Sequence, residues 1–358
     1  MAIPEVVILG GARTPMAEFN GHLATVPETD LGAHAARHAL SRSQVDPSSI
    51  DQTVFGNALQ TSANAIYGAR HVALKAGVPH DRPALTVNRL CGSGIQSVIS
   101  AAHLIRLQEA ETVLAGGMEN MSMAPYVLRG VRQGWPGLGA GQMEDLLLAA
   151  LMDGFCGFSM AGTAENLAAE MSISRHEMDA FALRSQQLAQ AFHESGRAKE
   201  EIVPFEVPQR RGPLVVEEDD HRRPGTTIEI LSRLRPAFKK DGLVTAGNAS
   251  GIVDGAAAVV VCSATRAAKL EQKPLGRIVA HAVVGVEPRI MGIGPVPAIK
   301  QVLKIAGLNE SEISLYEINE AFAAQYLAVE KALGLAREKV NVNGGAIALG
   351  HPLGATGT

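Results

Sequence analysis

The 358-residue sequence predicts an α/β protein with more than one packed unit. Three observations carry that reading. Short β-branched runs ended by glycine alternate with stretches of helical apolar spacing, the pattern of a parallel sheet covered on both faces. Small residues dominate: 37 glycines stand against one tryptophan, which suits close helix–sheet packing and tight turns. The last third of the chain repeats features of the first.

Val6 to Leu9 is a β-branched run closed by Gly10-Gly11, which predicts a buried strand. Asp30 to Leu40 is alanine-rich with helical spacing. Asp46-Pro47-Ser48-Ser49 carries turn and helix-start chemistry, and a strand follows around Thr53-Val54-Phe55. Ala84 to Asn88 predicts the next strand, and Arg89 to Gly94 a loop. Ile95, Val98, Ile99, Ala102 and Ile105 then mark one face of a helix. Thr112 to Gly117 closes the unit as a further strand. Beyond 120 the pattern breaks into an irregular excursion with Pro125, Trp135-Pro136 and the run Gly137 to Gly141. Ser174-Arg175-His176-Glu177 is a capping box that opens a helix. Residues 208–245 are polar, and Gly255 to Cys262 restores regularity as an Ala/Val helix–strand stretch.

The repeat is faint but can be followed position by position. Val45, Ile50 and Val54-Phe55 before Asn57 resemble Leu308, Ile313 and Tyr316 to Ile318 before Asn319. Thr86-Val87-Asn88 before the Cys91 loop resembles Asn341-Val342-Asn343 before the His351 loop. Twenty-six residues separate Cys91 from Gly117, whereas seven follow His351. The repeat therefore predicts that the chain stops where a helix should begin.

Composition narrows the function. The net charge of −4 argues against a protein that coats nucleic acid or an anionic membrane, and 4 % aromatics argues against base stacking. Three widely spaced cysteines predict neither a disulfide framework nor a cysteine-paired zinc site, and so a reducing compartment. Met1 to Gly11 has no basic region of a secretory signal. No apolar run reaches the about 18–20 residues that a membrane span needs.

Asn88 to Gly94 sets Cys91 on a glycine-flanked turn between strand and helix. A helix N-terminus favours the thiolate, so this position predicts a lowered pKa and a nucleophile. Read alone, Cys91 is equally a buried structural thiol, and Gly92-x-Gly94 is also compatible with a dinucleotide loop. His351 sits in the Gly-rich run Asn343 to Gly354, where a neutral imidazole has room to take a proton or to donate to an oxyanion. Asn319 ends an apolar strand, placed to orient a water or simply to cap a helix. Thr245 to Gly251 is a small-residue loop that suits a slender ligand or a plain turn. Arg222-Arg223 suits a phosphate or a solvated basic patch.

Together these stretches resemble the thiolase family of acetyl-CoA acetyltransferases and 3-ketoacyl-CoA thiolases. The matching segments run in order from Gly11 to Pro15 through Asn88–Gly94, Ala115–Asn120, Thr163–Asn166, Lys240–Gly255, Met291–Pro297, Asn319–Phe322 and Asn343–Gly354. The resemblance implies duplicated βαβαβαββ halves in a five-layer α-β-α-β-α stack with an inserted loop domain. The corresponding division is 1–120 with 251–270 returning to it, a loop domain at 121–250, and a C-terminal half at 271–358. It implies Cys91 as the acylated nucleophile, His351 as its base, and Asn319 as holder of an oxyanion-hole water. Ser250 and Ala246 match pantetheine contacts, and Arg223 matches a residue near the CoA nucleotide. Met160, Met291, Ala321 and Phe322 match tunnel walls. CoA and acyl-CoA are then substrates, with no resident cofactor and no metal. A homotetramer built as a dimer of dimers is implied, with the 120–141 excursion as the tetramer contact.

Two departures qualify these expectations. The family's second cysteine, in a Cys-x-Gly turn near the C-terminus, has no counterpart here, because Cys156 and Cys262 lie outside the pattern. With it the resemblance predicts a C-terminal half lacking its last helix and two strands. Ser159 stands where short-chain biosynthetic members carry His, which leans toward a broader or degradative 3-ketoacyl substrate. The expected function is acyl-CoA:acetyl-CoA C-acyltransfer through an acyl-Cys91 intermediate. The alternatives are a thioester hydrolase, or a catalytically impaired CoA-binding chain if the protein truly ends at Thr358. The expected location is a bacterial cytoplasm, with a mitochondrial matrix as alternative.

Overall fold

In the computed structural model, residues 3–134 and 141–358 are described. Trp135 and the glycine run up to Ala140, part of the expected tetramer contact, lie outside the described residues.

One seven-stranded sheet organises the molecule. The N-terminal segment supplies β1 (Val6–Arg13), α1 (Glu28–Arg42), β2 (Gln52–Gly56), α2 (Gly68–Lys75), β3 (Ala84–Val87), α3 (Ser93–Arg106) and β4 (Thr112–Glu119). A small hairpin of β5 (Tyr126–Leu128) and β6 (Met143–Asp145) follows, then α4 (Met160–Glu170) and α5 (Arg175–Glu194). The chain returns to the sheet with β7 (Val253–Ser263) and β8 (Gly276–Arg277), and ends with α6 (Pro295–Ala306), α7 (Ala323–Leu333), α8 (Ala346–Leu349) and α9 (Leu353–Thr356). The sheet order is β8-β1-β7-β4-β2-β3, with the two-residue strand Ala17–Glu18 also paired to β7.

The predicted strands and helices of the first 120 residues all form. The sheet is mixed rather than parallel: β2 runs parallel to β3 and β4, while β7 is antiparallel to both β1 and β4. Gly255 to Cys262, read as a helix–strand stretch, lies wholly within a strand. Hydrogen bonding from neighbours on both sides overrides the helix propensity of its alanines. The expected capping box is present, with Ser174 and Glu177 bonded reciprocally at the start of α5. Leu9, Leu31, Leu40, Phe55 and Leu114 fill the core under α1; Ala101, Ile105, Val113 and Val261 fill the other face under α3.

The repeat persists in the pairing register. Val54 pairs with Leu85, three residues before Asn57 and Asn88; Tyr316 pairs in parallel with Val340, three before Asn319 and Asn343. In the second copy this is an isolated bridge rather than a ladder. Instead, α4 and α5 share a core with the C-terminal half, where the rings of Phe181 and Tyr326 stack with centroids 4.0 Å apart.

The expectation that the chain stops before a helix is not borne out. α9 begins at Leu353, two residues after His351, as α3 begins two after Cys91. A Cβ placed on Gly94 would lie 2.6 Å from the Thr358 nitrogen, and one on Gly357 would lie 2.7 Å from the Ile95 nitrogen. The last residues are therefore wedged against the start of α3, and glycines permit that approach.

Candidate functional site

Strand β3 delivers the Cys91 turn. Asn57 N–H donates to the Val87 carbonyl (3.1 Å), and Asn88 Nδ2 donates to the Ala58 carbonyl (3.1 Å). Asn88 Oδ1 accepts from Leu90 N (2.9 Å), and Leu90 adopts φ +49°. A left-handed residue directly before the cysteine marks a turn held against local preference, and such sites cluster at functional loops. Ser93 Oγ closes the turn, accepting from Arg89 N and donating to the Leu90 carbonyl.

Cys91 packs half-buried against the apolar cluster formed by Leu59, Met121, Leu147 and Leu353. Burial there pushes the thiol up to about 11, and the Glu119 carboxylate adds to the rise. The expected lowering at a helix N-terminus is thus corrected: desolvation of the thiol is the largest effect and raises it. Cys262 lies buried in β7 and Cys156 half-buried in the loop before α4, both away from this turn in the chain.

His351 is buried, 5 % exposed, and bonded at both ring nitrogens. Nε2 lies 3.2 Å from Asn319 Nδ2, and Nδ1 lies 2.6 Å from Thr356 Oγ1. An amide that donates to Nε2 leaves the ring proton on Nδ1, so the network assigns the tautomer with a lone pair on Nε2. Burial pulls this histidine down to about 4, so the imidazole is neutral at pH 7. Asn319 Oδ1 is buried with no partner among the described residues. The next residue, Glu320, is fully buried and accepts from Ser185 Oγ (2.6 Å), Asn341 Nδ2 (2.9 Å) and Ile347 N (3.2 Å). It ties the Asn319 loop to the run that leads to His351.

One extended segment passes most of the expected residues. Ser250 N donates to the Ala321 carbonyl (3.0 Å), and Ala249 bridges Phe322. His351 N donates to the Gly251 carbonyl (2.9 Å), and Val253 pairs with Glu18. Ala246 is exposed at the head of this segment, and the Phe322 ring meets Phe238 edge-on at 6.4 Å. Met160 opens α4 half-buried, and Met291 lies half-buried in the 3₁₀ turn Pro288–Ile293 that packs on α4. Ser159 Oγ caps α4 by accepting from Gly162 N (3.1 Å). Arg223 is set apart on the surface, its guanidinium 2.6 Å from both Glu18 carboxylate oxygens.

Sequence reasoning missed Thr356 and Glu119. Nothing in the local sequence marks Thr356, whereas the repeated Asn57 and Asn319 positions pointed toward the neighbourhood of Glu119. Among the described residues, no group of three or more His, Cys, Asp or Glu side chains could hold a metal ion. No helix there is long and apolar enough to cross a membrane.

Known proteins share this fold. The family model described as "Thiolase, N-terminal domain" matches residues 6–265, and that described as "Thiolase, C-terminal domain" matches 272–358. The expected incomplete C-terminal half is not borne out by these matches, which span about nine tenths of the relatives' length. The chain is 51 % identical over 354 residues to the 3-ketoacyl-CoA thiolase, mitochondrial, of Homo sapiens, covering 99 % of this chain and 89 % of that one. It is 48 % identical to an acetyl-CoA acetyltransferase of Pseudomonas aeruginosa, covering 99 % and 90 %. The crystal structure of human mitochondrial 3-ketoacyl-CoA thiolase in complex with CoA superposes with a TM-score of 0.96 at 50 % identity, covering 99 % and 89 %.

Proposed function

The chain belongs to the thiolase family, and from that premise we propose how its site works. The protein is an acyltransferase that cleaves 3-ketoacyl-CoA with CoA, or condenses acetyl-CoA in the reverse direction. The observation that carries the roles is the buried, neutral His351, held on both ring nitrogens in the loop whose Leu353 belongs to the apolar cluster that Cys91 packs against.

His351 Nε2 takes the Cys91 proton as Sγ attacks the 3-keto carbon, forming the S–C bond. The C2–C3 bond then breaks, leaving the acyl group on Cys91 and acetyl-CoA as its enolate. The proton removed from Cys91 balances the one that the enolate carbon gains. The CoA thiol next loses its proton and attacks the acyl-Cys91 carbonyl, and Cys91 regains a proton as it leaves. Asn319, with a free buried Oδ1, holds a water that with His351 faces the thioester oxygen.

Met160, Met291, Ala321 and Phe322 wall the acyl and pantetheine path, with Ser250 and Ala246 along the pantetheine. Arg223 meets the CoA nucleotide after parting from Glu18. CoA and acyl-CoA are the small-molecule partners, and no resident cofactor is required. Ser159 in place of the histidine of short-chain biosynthetic members supports a degradative or broad 3-ketoacyl substrate, as does the human relative, a 3-ketoacyl-CoA thiolase. The working division is 1–120 with 251–270, then 121–250, then 271–358. The exposed apolar side chains of Tyr126 and Met143 on the β5–β6 hairpin support a tetramer contact there. A mitochondrial relative and a bacterial one fit either a mitochondrial matrix or a bacterial cytoplasm.

The test is thiolysis of acetoacetyl-CoA and longer 3-ketoacyl-CoA, with intact-mass detection of an acyl adduct. Cys91→Ala is expected to abolish adduct and turnover together. A persistent adduct in that variant would sink the assignment. Thiol release without added CoA at the rate of thiolysis would favour a hydrolase.

A further inference from the structure

Glu119 ends β4 with its side chain fully buried, yet no cation pairs with it among the described residues. Its partners are four N–H donors. Oε1 accepts from Asn57 Nδ2 and Leu59 N, both at 2.9 Å. Oε2 accepts from Ala58 N at 2.9 Å and Gly354 N at 2.8 Å. A protonated carboxyl would turn its hydrogen toward one of these donors and lose that bond, so this donor set fits the ionised form.

The four donors come from two places that matter. Asn57, Ala58 and Leu59 leave β2, and the Ala58 carbonyl accepts from Asn88, whose Oδ1 fixes Leu90 N immediately before Cys91. Gly354 lies three residues after His351. A Cβ on Gly354 would sit 2.8 Å from Glu119 Oε2 and 2.9 Å from Ala58 N, so the two loops meet at this carboxylate with no slack.

We propose that Glu119 is a positioning residue of the acyl-transfer reaction, its ionised carboxylate joining the Asn57–Leu59 loop, on which the Cys91 turn is anchored through Asn88, to the loop after His351 and thereby setting how thiol and imidazole meet. This rests on the reading of Cys91 as nucleophile and His351 as base. The same negative charge disfavours the Cys91 thiolate, so proton loss is tied to transfer onto His351 rather than occurring in the empty site. Burial, with the Glu28 carboxylate on α1, lifts Glu119 to about 7 against the lowering by its N–H donors, so the ionised form the proposal requires dominates above neutral pH.

The experiment compares the full chain with Glu119→Gln and Glu119→Asp, reading kcat, KM and the pH profile of Cys91 alkylation by iodoacetamide. Glu119→Gln is expected to lower kcat about tenfold to a hundredfold while KM changes less than about threefold. Its alkylation profile is expected to move to lower pH, because the negative charge beside the thiol is gone. Glu119→Asp keeps the charge with a carboxylate about 1.5 Å shorter, so it is expected to restore the alkylation profile but not kcat. A folded Glu119→Gln with unchanged kcat, or with lowered kcat and an unmoved alkylation profile, would overturn the proposal. Should the Gln variant not fold, full kcat in Glu119→Asp overturns it equally. Cys91→Ala run in parallel separates the two failures: a surviving acyl adduct there breaks the reading of the site, whereas silent Glu119 variants break this inference alone.

Discussion

His351 keeps a buried neutral imidazole, and that couples folding stability to pH. The free side chain titrates near 6.5 and the folded one at about 4. Between these values the unfolded chain holds the extra proton. The contribution is therefore fully present above about 6.5 and is lost as pH falls toward 4, by up to ~3 kcal/mol. Thermal melts from pH 7 to pH 5 are expected to fall more steeply in the parent than in His351→Asn; parallel slopes would refute the coupling. Thr356 works on the same ring. Its hydroxyl is the acceptor that keeps the proton on Nδ1, and Thr356→Val removes it at nearly constant volume. The loss of one buried hydrogen bond predicts kcat lowered about tenfold with KM little changed, and recovery in Thr356→Ser. Steady-state kinetics on the pair decides this, since a packing defect would not be rescued by the smaller serine.

At the scale of elements, the inserted region is fastened to β1 by a buried ion pair. Arg13 at the end of β1 binds Asp219 through two bonds of 2.7 and 2.8 Å. Asp219 also accepts from Met16 N (2.8 Å) and lies 2.9 Å from His193 Nε2 on α5. Arg13 holds Asp219 far below the usual carboxylate range against the opposing effect of burial. Asp219→Ala leaves a buried guanidinium with the half-exposed Glu201 as its charged partner among the described residues, beside the Thr14 carbonyl. The expected cost is about 3 kcal/mol, seen as a lower midpoint in urea unfolding, because one partner's removal leaves an uncompensated buried charge. A shift below about 0.5 kcal/mol would show that Glu201 suffices. Helix starts were the most legible elements: the box at Ser174 and the turn at Asp46 both cap as their sequences predict, because those bonds span three residues or fewer. The Ala/Val stretch of β7 misled, because its conformation is imposed by two neighbouring strands.

At the scale of the whole molecule, the exposed apolar tip of the β5–β6 hairpin bears on assembly. Tyr126 is 63 % exposed and Met143 69 % exposed, side chains suited to an interface rather than to water. For the proposed tetramer, replacing both with Glu is expected to shift sedimentation from tetramer to dimer; a parent chain that is no tetramer, or an unchanged tetramer in the variant, would refute the contact. The sequence by itself determined the alternation of strand and helix, the doubled Asn57/Asn319 framework, the family, and the turns that carry Cys91 and His351. Those signals are local, written in glycine spacing, β-branched runs and short motifs. Tertiary structure alone decided that the Cys91 thiol is raised rather than lowered, that His351 is neutral and held by Thr356, and that Glu119 bonds to Gly354, 235 residues away in the chain. Ionisation and pairing depend on desolvation and on donors brought from distant segments, and no stretch of sequence contains both ends of those contacts.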